Sequence, residues 1–203
     1  IGEVSETNGQ PGGAVGAYSI NQEDGSLKYI NTESTVGPGP CHLSVDAGGQ
    51  YVLVANYGGG SVAVLPTKDD GALLEASDFI QHEGSSVNPN RQQEPHAHSI
   101  MIAPNNHYAY APDLGMDKIM IYNLDLEKGK LQPNSQPFQS VEPGQGPRHF
   151  DFHPNNKFAF VINEIGNTIV SYDYNADSGT LKPIGSVPTL PAEFTGTSHT
   201  ADI

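Results

Sequence analysis

Three stretches of this 203-residue chain repeat one another. The first reads GPCHLSVD at 39–46, then a Gly48-Gly49 turn, then YVLVAN at 51–56. The second reads HAHSIMI at 96–102, a Pro104-Asn105-Asn106 turn and HYAYAPD at 107–113. The third reads GPRHFDFH at 146–153, a Pro154-Asn155-Asn156 turn and KFAFVIN at 157–163. TSHTADI at 197–203 opens a further copy. Repetition at this spacing means one supersecondary unit used several times, each copy burying its faces against its neighbours.

Every unit goes on in the same way. A Gly-containing turn (58–60, Gly115, Gly166) leads into a short β run at 61–65, 118–122 or 168–172. A polar turn with Gly71, Gly129 or Gly179 follows, and Leu73, Leu131 or Leu181 starts an outer strand. Four strands per unit without helical periodicity predict the blade of an all-β propeller. A parallel β-helix lacks such hairpins and a β-sandwich does not repeat its strand chemistry, so both rank below it. Rings close with roughly four to eight blades, and this chain supplies about four. The expectation is one partial propeller domain over 1–203, ending before its ring closes. Blade remnants occupy 1–36, with 15–27 as the outer half of a blade. Units start near 37, 94 and 144, and the last copy, from 196, is cut off in mid-strand. The first repeat interval is longer than the second, which marks 84–93 as an inserted polar loop with nothing to bury.

Hairpin pairing gathers the polar residues. Positions equidistant from an antiparallel turn face each other, so Arg148 should oppose Glu164, His98 should oppose Asp113, and His42 should oppose Asn56, all at one rim. Aligned by their turns, Cys41, His98 and Arg148 share one slot, and His42, Ser99 and His149 the next. Different chemistry in equivalent slots suggests a site assembled from several blades. The recurring Asn56, Asp113 and Asn163 read first as a turn or inter-blade hydrogen-bonding device, with Asn56 and Asp113 kept as substrate contacts. Arg148 is one of only two arginines, the other being Arg91 in the polar loop. A rim guanidinium suits bidentate binding of carboxylate or phosphate, or a pair with Glu164; the two roles are compatible.

His96 and His98 lie on one strand face, a spacing that can chelate a metal. No further ligand spacing supports a metal site, and general acid–base work is the better reading. His82, His107 and His153 read as structural. No nucleophile elbow, phosphate-cradling loop or dinucleotide fingerprint is present.

A formal charge of −14, from 9 basic and 23 acidic residues, argues against nucleic acid or an anionic membrane as partner. No apolar run is long enough to span a bilayer. The single Cys41 allows no disulfide within the chain, which favours a reducing, cytoplasmic compartment, with the periplasm as the alternative if a signal peptide precedes Ile1. The chain opens at Ile1, so a targeting segment would not be visible in it.

NYGGGSV at 56–62, DLGMD at 113–117, GPRHFDFHP at 146–154, Asn163-Glu164 and SHTADI at 198–203 together resemble the seven-bladed propeller lactonases. That family includes bacterial 6-phosphogluconolactonase and fungal carboxy-cis,cis-muconate cyclase. The resemblance runs along essentially the whole chain. It implies an enzyme without cofactor or metal that acts on a small sugar lactone at the mouth of the central channel, as a monomer or weak homo-oligomer. The cyclase branch uses a His, an Arg, a Glu and a second Arg. His96 or His98, Arg148 and Glu164 match the first three, and the second Arg is expected beyond Ile203. The implied reaction is hydrolysis of 6-phospho-D-glucono-1,5-lactone in the pentose phosphate pathway. Arg148 would hold phosphate or oxyanion, Glu164 or His98 would activate water, and His42, Asn56, Tyr57, Asp113 and His149 would contact the sugar. Lactonising cyclisation and a non-catalytic binding platform are the alternatives.

Overall fold

The computed structural model describes residues 1–7 and 10–203, with nothing said of the side chains of 3–11. The expected remnant blade over 1–36 therefore includes two residues outside the described ones. All regular structure among the described residues is β. The first sheet contains β1 (Gly2–Thr7), β2 (Gln10–Ile20) and β3 (Leu27–Ser34). The second contains β4 (Pro40–Val45), β5 (Tyr51–Asn56), β6 (Ser61–Pro66) and β7 (Asp78–Gln81). The third contains β8 (Met101–Ile102), β9 (Tyr108–Asp113), β10 (Lys118–Asp125) and β11 (Lys130–Ser140). The fourth contains β12 (Pro147–Phe152), β13 (Phe158–Asn163), β14 (Thr168–Asn175) and β15 (Thr180–Pro188). Each is an up-and-down antiparallel sheet in chain order, the blade the repeats predict.

Equivalent turns share backbone geometry. Gly49, Asn106 and Asn156 close the first hairpin of their blades at φ 67°, 61° and 56°. Glycine and asparagine tolerate this left-handed region best, so the alternation of Gly and Asn is one requirement met twice over.

The inner strands of the second and third sheets are apolar on both faces because those two blades are each packed between neighbours. Leu53 and Ala55 of β5 pack toward the third sheet with Ala109, Ala111, Tyr122 and Leu131. Val52 and Val54, their neighbours on the same strand, pack toward the first with Val15 and Leu65. Between the third and fourth sheets Tyr110 stacks on Phe150, centroids 5.0 Å apart and planes 2° apart, above Val161 and Tyr172. Each fully buried side chain of this size is worth about 1.5–3 kcal/mol, so the blade-to-blade interfaces hold the molecule together.

Two details depart from expectation. Leu73 makes only an isolated bridge to Thr67, and the outer strand of the second sheet begins at Asp78. Residues 197–203 form no strand: a first strand exists only through its pairing with the second. They lie instead along the rim of the fourth sheet, where Thr200 Oγ1 donates to the Asn163 carbonyl at 2.7 Å.

Candidate functional site at the blade rim

The first strands break register at their rim ends. In the second sheet Pro40 pairs with Asn56 and His42 with Ala55; in the fourth, Pro147 pairs with Asn163 and His149 with Ile162. Cys41 and Arg148 are therefore the extra residues of two equivalent β-bulges. In the third sheet Ala97 bridges Asp113, and regular pairing resumes only at Met101, which leaves His98 in the same position. The slot the repeats define is thus the bulge slot, and a bulge re-aims a side chain. The expected facing pairs are corrected accordingly: Arg148 reaches Glu164 from a bulge, while His42 does not face Asn56 and His98 does not face Asp113.

Asn56 and Asp113 sit beneath this rim and are fully buried. Asn56 Nδ2 donates to the Thr35 carbonyl at 3.2 Å and to Ser61 Oγ at 3.2 Å. Asp113 Oδ2 lies 2.6 Å from His82 Nδ1, and Oδ1 accepts from His96 N at 2.8 Å and Gly115 N at 3.0 Å. His82 Nε2 in turn meets the Tyr122 hydroxyl at 2.8 Å. Both residues are fully buried and bonded to protein groups, Asn56 through Nδ2 only, so the structure removes them from the open rim as sugar contacts and makes them supports. Asp113 fixes the backbone that carries His96 and His98. His82 is structural, as expected, and His107 and His153 are exposed, at hairpin turns.

Glu164 is the centre of the rim. Its Oε1 accepts from Arg91 Nη2 at 2.6 Å, its Oε2 from Arg148 Nε at 3.1 Å, and His98 Nε2 stands 3.7 Å from Oε2. Both arginines of the chain thus end on one carboxylate that is only 12% exposed. Burial alone would raise the Glu164 pKa, but the Arg91 hydrogen bond and the charges of Arg91 and Arg148 outweigh it and hold it below the ordinary value.

Arg91 is the residue sequence reasoning missed. Its loop does bury something: Gln92 is fully buried, donating Nε2 to the Leu114 carbonyl at 2.8 Å and accepting from Asn88 N at 3.0 Å. Gly115, against which the Glu94 carbonyl packs, leaves no room for a Cβ. Anchored at this knot, the loop swings Arg91 onto the rim of the fourth sheet. The one available signal was scarcity, two arginines in the whole chain.

The imidazoles form an aromatic cluster around these charges. Tyr57 stacks on His96 with centroids 4.5 Å apart and stands edge-on to His98 at 5.1 Å. His149 is edge-on to both His42 and His98 at 5.4 Å. Partners assign their tautomers. A carbonyl only accepts, so His96 Nδ1–H donates to Tyr57 O at 3.0 Å, leaving Nε2 as the basic nitrogen of neutral His96. His42 Nδ1 accepts from Ile100 N at 3.3 Å, so its Nε2 carries the proton. His149 Nδ1 faces Asp202 Oδ1 at 2.6 Å while Nε2 faces Arg148 Nη1 at 3.3 Å. Arg148 Nη1 also donates to the Ala201 carbonyl.

Burial, then the Arg148 charge, pushes the His98 pKa down to about 4; burial, then His149, also lowers that of His42. Burial pushes the Cys41 thiol up to about 11, so Cys41 is a protonated neighbour of His98, its Sγ 3.1 Å from the His98 carbonyl oxygen. No three His, Cys, Asp or Glu side chains among the described residues converge as metal ligands.

Blades of this build, with bulges and a loop that bring two arginines, a glutamate and several imidazoles together, define a propeller with its charged and imidazole side chains gathered at one end of its strands. The family described as "Lactonase, 7-bladed beta-propeller" matches residues 4–203, and the chain belongs to it. It is 38% identical to a 6-phosphogluconolactonase of Bacillus subtilis (strain 168) over 97% of this chain and 54% of that protein. It is 33% identical to a 6-phosphogluconolactonase of Erwinia tasmaniensis over 96% and 54%. The solved structure of the periplasmic gluconolactonase of Pseudomonas aeruginosa superposes with a TM-score of 0.88 and 31% identity, over 97% of this chain and 55% of that one. The chain spans about half the length of these relatives.

Proposed function

We propose that the full-length protein is a lactone hydrolase that opens 6-phospho-D-glucono-1,5-lactone to 6-phosphogluconate. The observation that carries this reading is the convergence of both arginines and the His98 imidazole on Glu164 at the rim, in a chain of the lactonase family. The names of its 6-phosphogluconolactonase relatives point to the same substrate.

Hydrolysis needs a proton acceptor for water and a donor for the oxyanion that forms on the lactone carbonyl. Glu164, its pKa held low and both oxygens engaged by guanidinium, is a poor base and a good anchor. The water's proton goes to His96 Nε2, the nitrogen left free by the Nδ1–H bond to the Tyr57 carbonyl, and passes on to the ring oxygen as the ester C–O bond breaks. Arg148, fixed by Glu164 through Nε and by His149 and the Ala201 carbonyl through Nη1, turns Nη2 to the developing oxyanion. His42, with its proton on Nε2, and His149 line the ring-binding side. His98, its pKa near 4, stays neutral at physiological pH, with Nε2 3.7 Å from Glu164 Oε2. The single unpaired Cys41 is compatible with work in the cytoplasm.

The test is to assay the purified full-length protein for hydrolysis of the phosphorylated lactone and for carboxymuconate cyclisation. The reading requires lactone hydrolysis that falls by about 10²-fold or more in Arg148→Ala. Cyclisation alone, or activity indifferent to that change, overturns it.

A further inference from the structure

Arg91 and Arg148 are not equivalent on their shared carboxylate. Arg148 spends Nε on Glu164 and Nη1 on His149 and the Ala201 carbonyl. Arg91 spends only Nη2, on Glu164 and, at 3.4 Å, on the Tyr57 hydroxyl. Its Nε and Nη1 have no partner among the described residues, and its side chain is 33% exposed against 21% for Arg148. A guanidinium held at one nitrogen, with the rest of its donor fork open, is preorganised for a second anion. It also supplies the local positive charge that an anionic ligand needs on a chain of formal charge −14.

The loop is built to hold that guanidinium still. Gln92, beside it, is fully buried and bonded on both sides of its amide. Arg91 and Arg148 bond opposite oxygens of the same carboxylate, at 2.6 Å and 3.1 Å, so the two guanidiniums share one part of the rim.

We propose that Arg91 is the residue that selects a phosphorylated substrate: it grips the phosphate monoester while Arg148 faces the ester carbonyl. This rests on the lactonase reading and adds a division of labour between the two arginines. Arg91 touches substrate remote from the reacting bond, so its loss appears mainly in KM and in the preference between substrates.

The experiment uses the full-length protein and two lactones, 6-phospho-D-glucono-1,5-lactone and unphosphorylated D-glucono-1,5-lactone, with Arg91→Gln, Arg91→Lys and Arg148→Lys. In Arg91→Gln, KM for the phosphorylated lactone rises at least tenfold more than KM for the unphosphorylated one. Arg91→Lys recovers part of that preference, because charge returns without the fork. Arg148→Lys lowers kcat on both lactones by similar factors. An equal loss on both lactones in Arg91→Gln, carried by kcat, makes Arg91 a support for Glu164 and overturns the proposal.

Calorimetric titration with 6-phosphogluconate and with gluconate separates this from failure of the lactonase reading. If wild type hydrolyses neither lactone, that reading fails. Tenfold or greater weakening of 6-phosphogluconate binding in Arg91→Gln still supports the phosphate grip, and unchanged binding refutes it.

Discussion

Two carboxylates one residue apart in the repeat lead different lives. Asp113 ends β9 in the third sheet; Glu164 follows the end of β13 in the fourth. Asp113 is fully buried under the rim and faces a buried histidine and two backbone amides. Glu164 stands on the rim between two guanidiniums and an imidazole. A single step along an extended chain reverses the side chain's direction, so the same hairpin offers a place for support and, next to it, a place for chemistry. Asn56 and Asn163 occupy the support position in the other blades, and Tyr57 stands in the chemical one.

That contrast can be broken, and the largest effect is expected at the support. Asp113→Ala strands His82 and the amides of His96 and Gly115, and should cost roughly 3–5 kcal/mol of stability in chemical denaturation. A loss below about 1 kcal/mol would mean that the buried pair is not holding the rim. Glu164→Gln is the opposite case: kcat/KM should fall about 10²-fold, worth about 2.7 kcal/mol, with a smaller shift in thermal midpoint. If midpoint and activity collapse together, Glu164 is as structural as Asp113.

A gentler probe tests the loop that joins the two regions. Gln92→Leu leaves the Leu114 carbonyl without its donor and should cost about 1–3 kcal/mol. It should also weaken the hold of Arg91 on the rim, seen as raised KM for the phosphorylated lactone. Unaltered kinetics would show that Arg91 finds its place without the anchor.

The last contrast is read in acid. His98 titrates near 4 in the folded chain against an ordinary value of 6.5, so between those values the unfolded chain binds the proton and the folded chain does not. Stability should therefore fall as pH drops from about 6.5 to about 4, and His98→Gln should flatten that slope. His42, shifted the same way, leaves a residual slope. Glu164, whose folded pKa is depressed, adds a separate loss at the acid end, as pH falls below its ordinary carboxylate range and through its lowered value. A His98→Gln profile parallel to wild type throughout would contradict the burial of this imidazole in its neutral form.

Much of this was legible in the linear chain. Apolar strands punctuated by Gly or Asn turns report two-faced burial and left-handed turn positions, both local demands that residue types meet directly. The slot shared by Cys41, His98 and Arg148 was legible for the same reason, because repetition exposes a position where chemistry varies while its frame does not. What the linear order could not disclose is which facing residue each slot meets, since one bulge shifts the pairing and its cost and gain depend on the partner strand. Nor could it disclose Arg91, whose place depends on Gln92 finding the Leu114 carbonyl in another blade. Periodic, near-neighbour constraints are written in sequence; the meeting of two arginines on one carboxylate is a long-range contact, decided only when the blades packed.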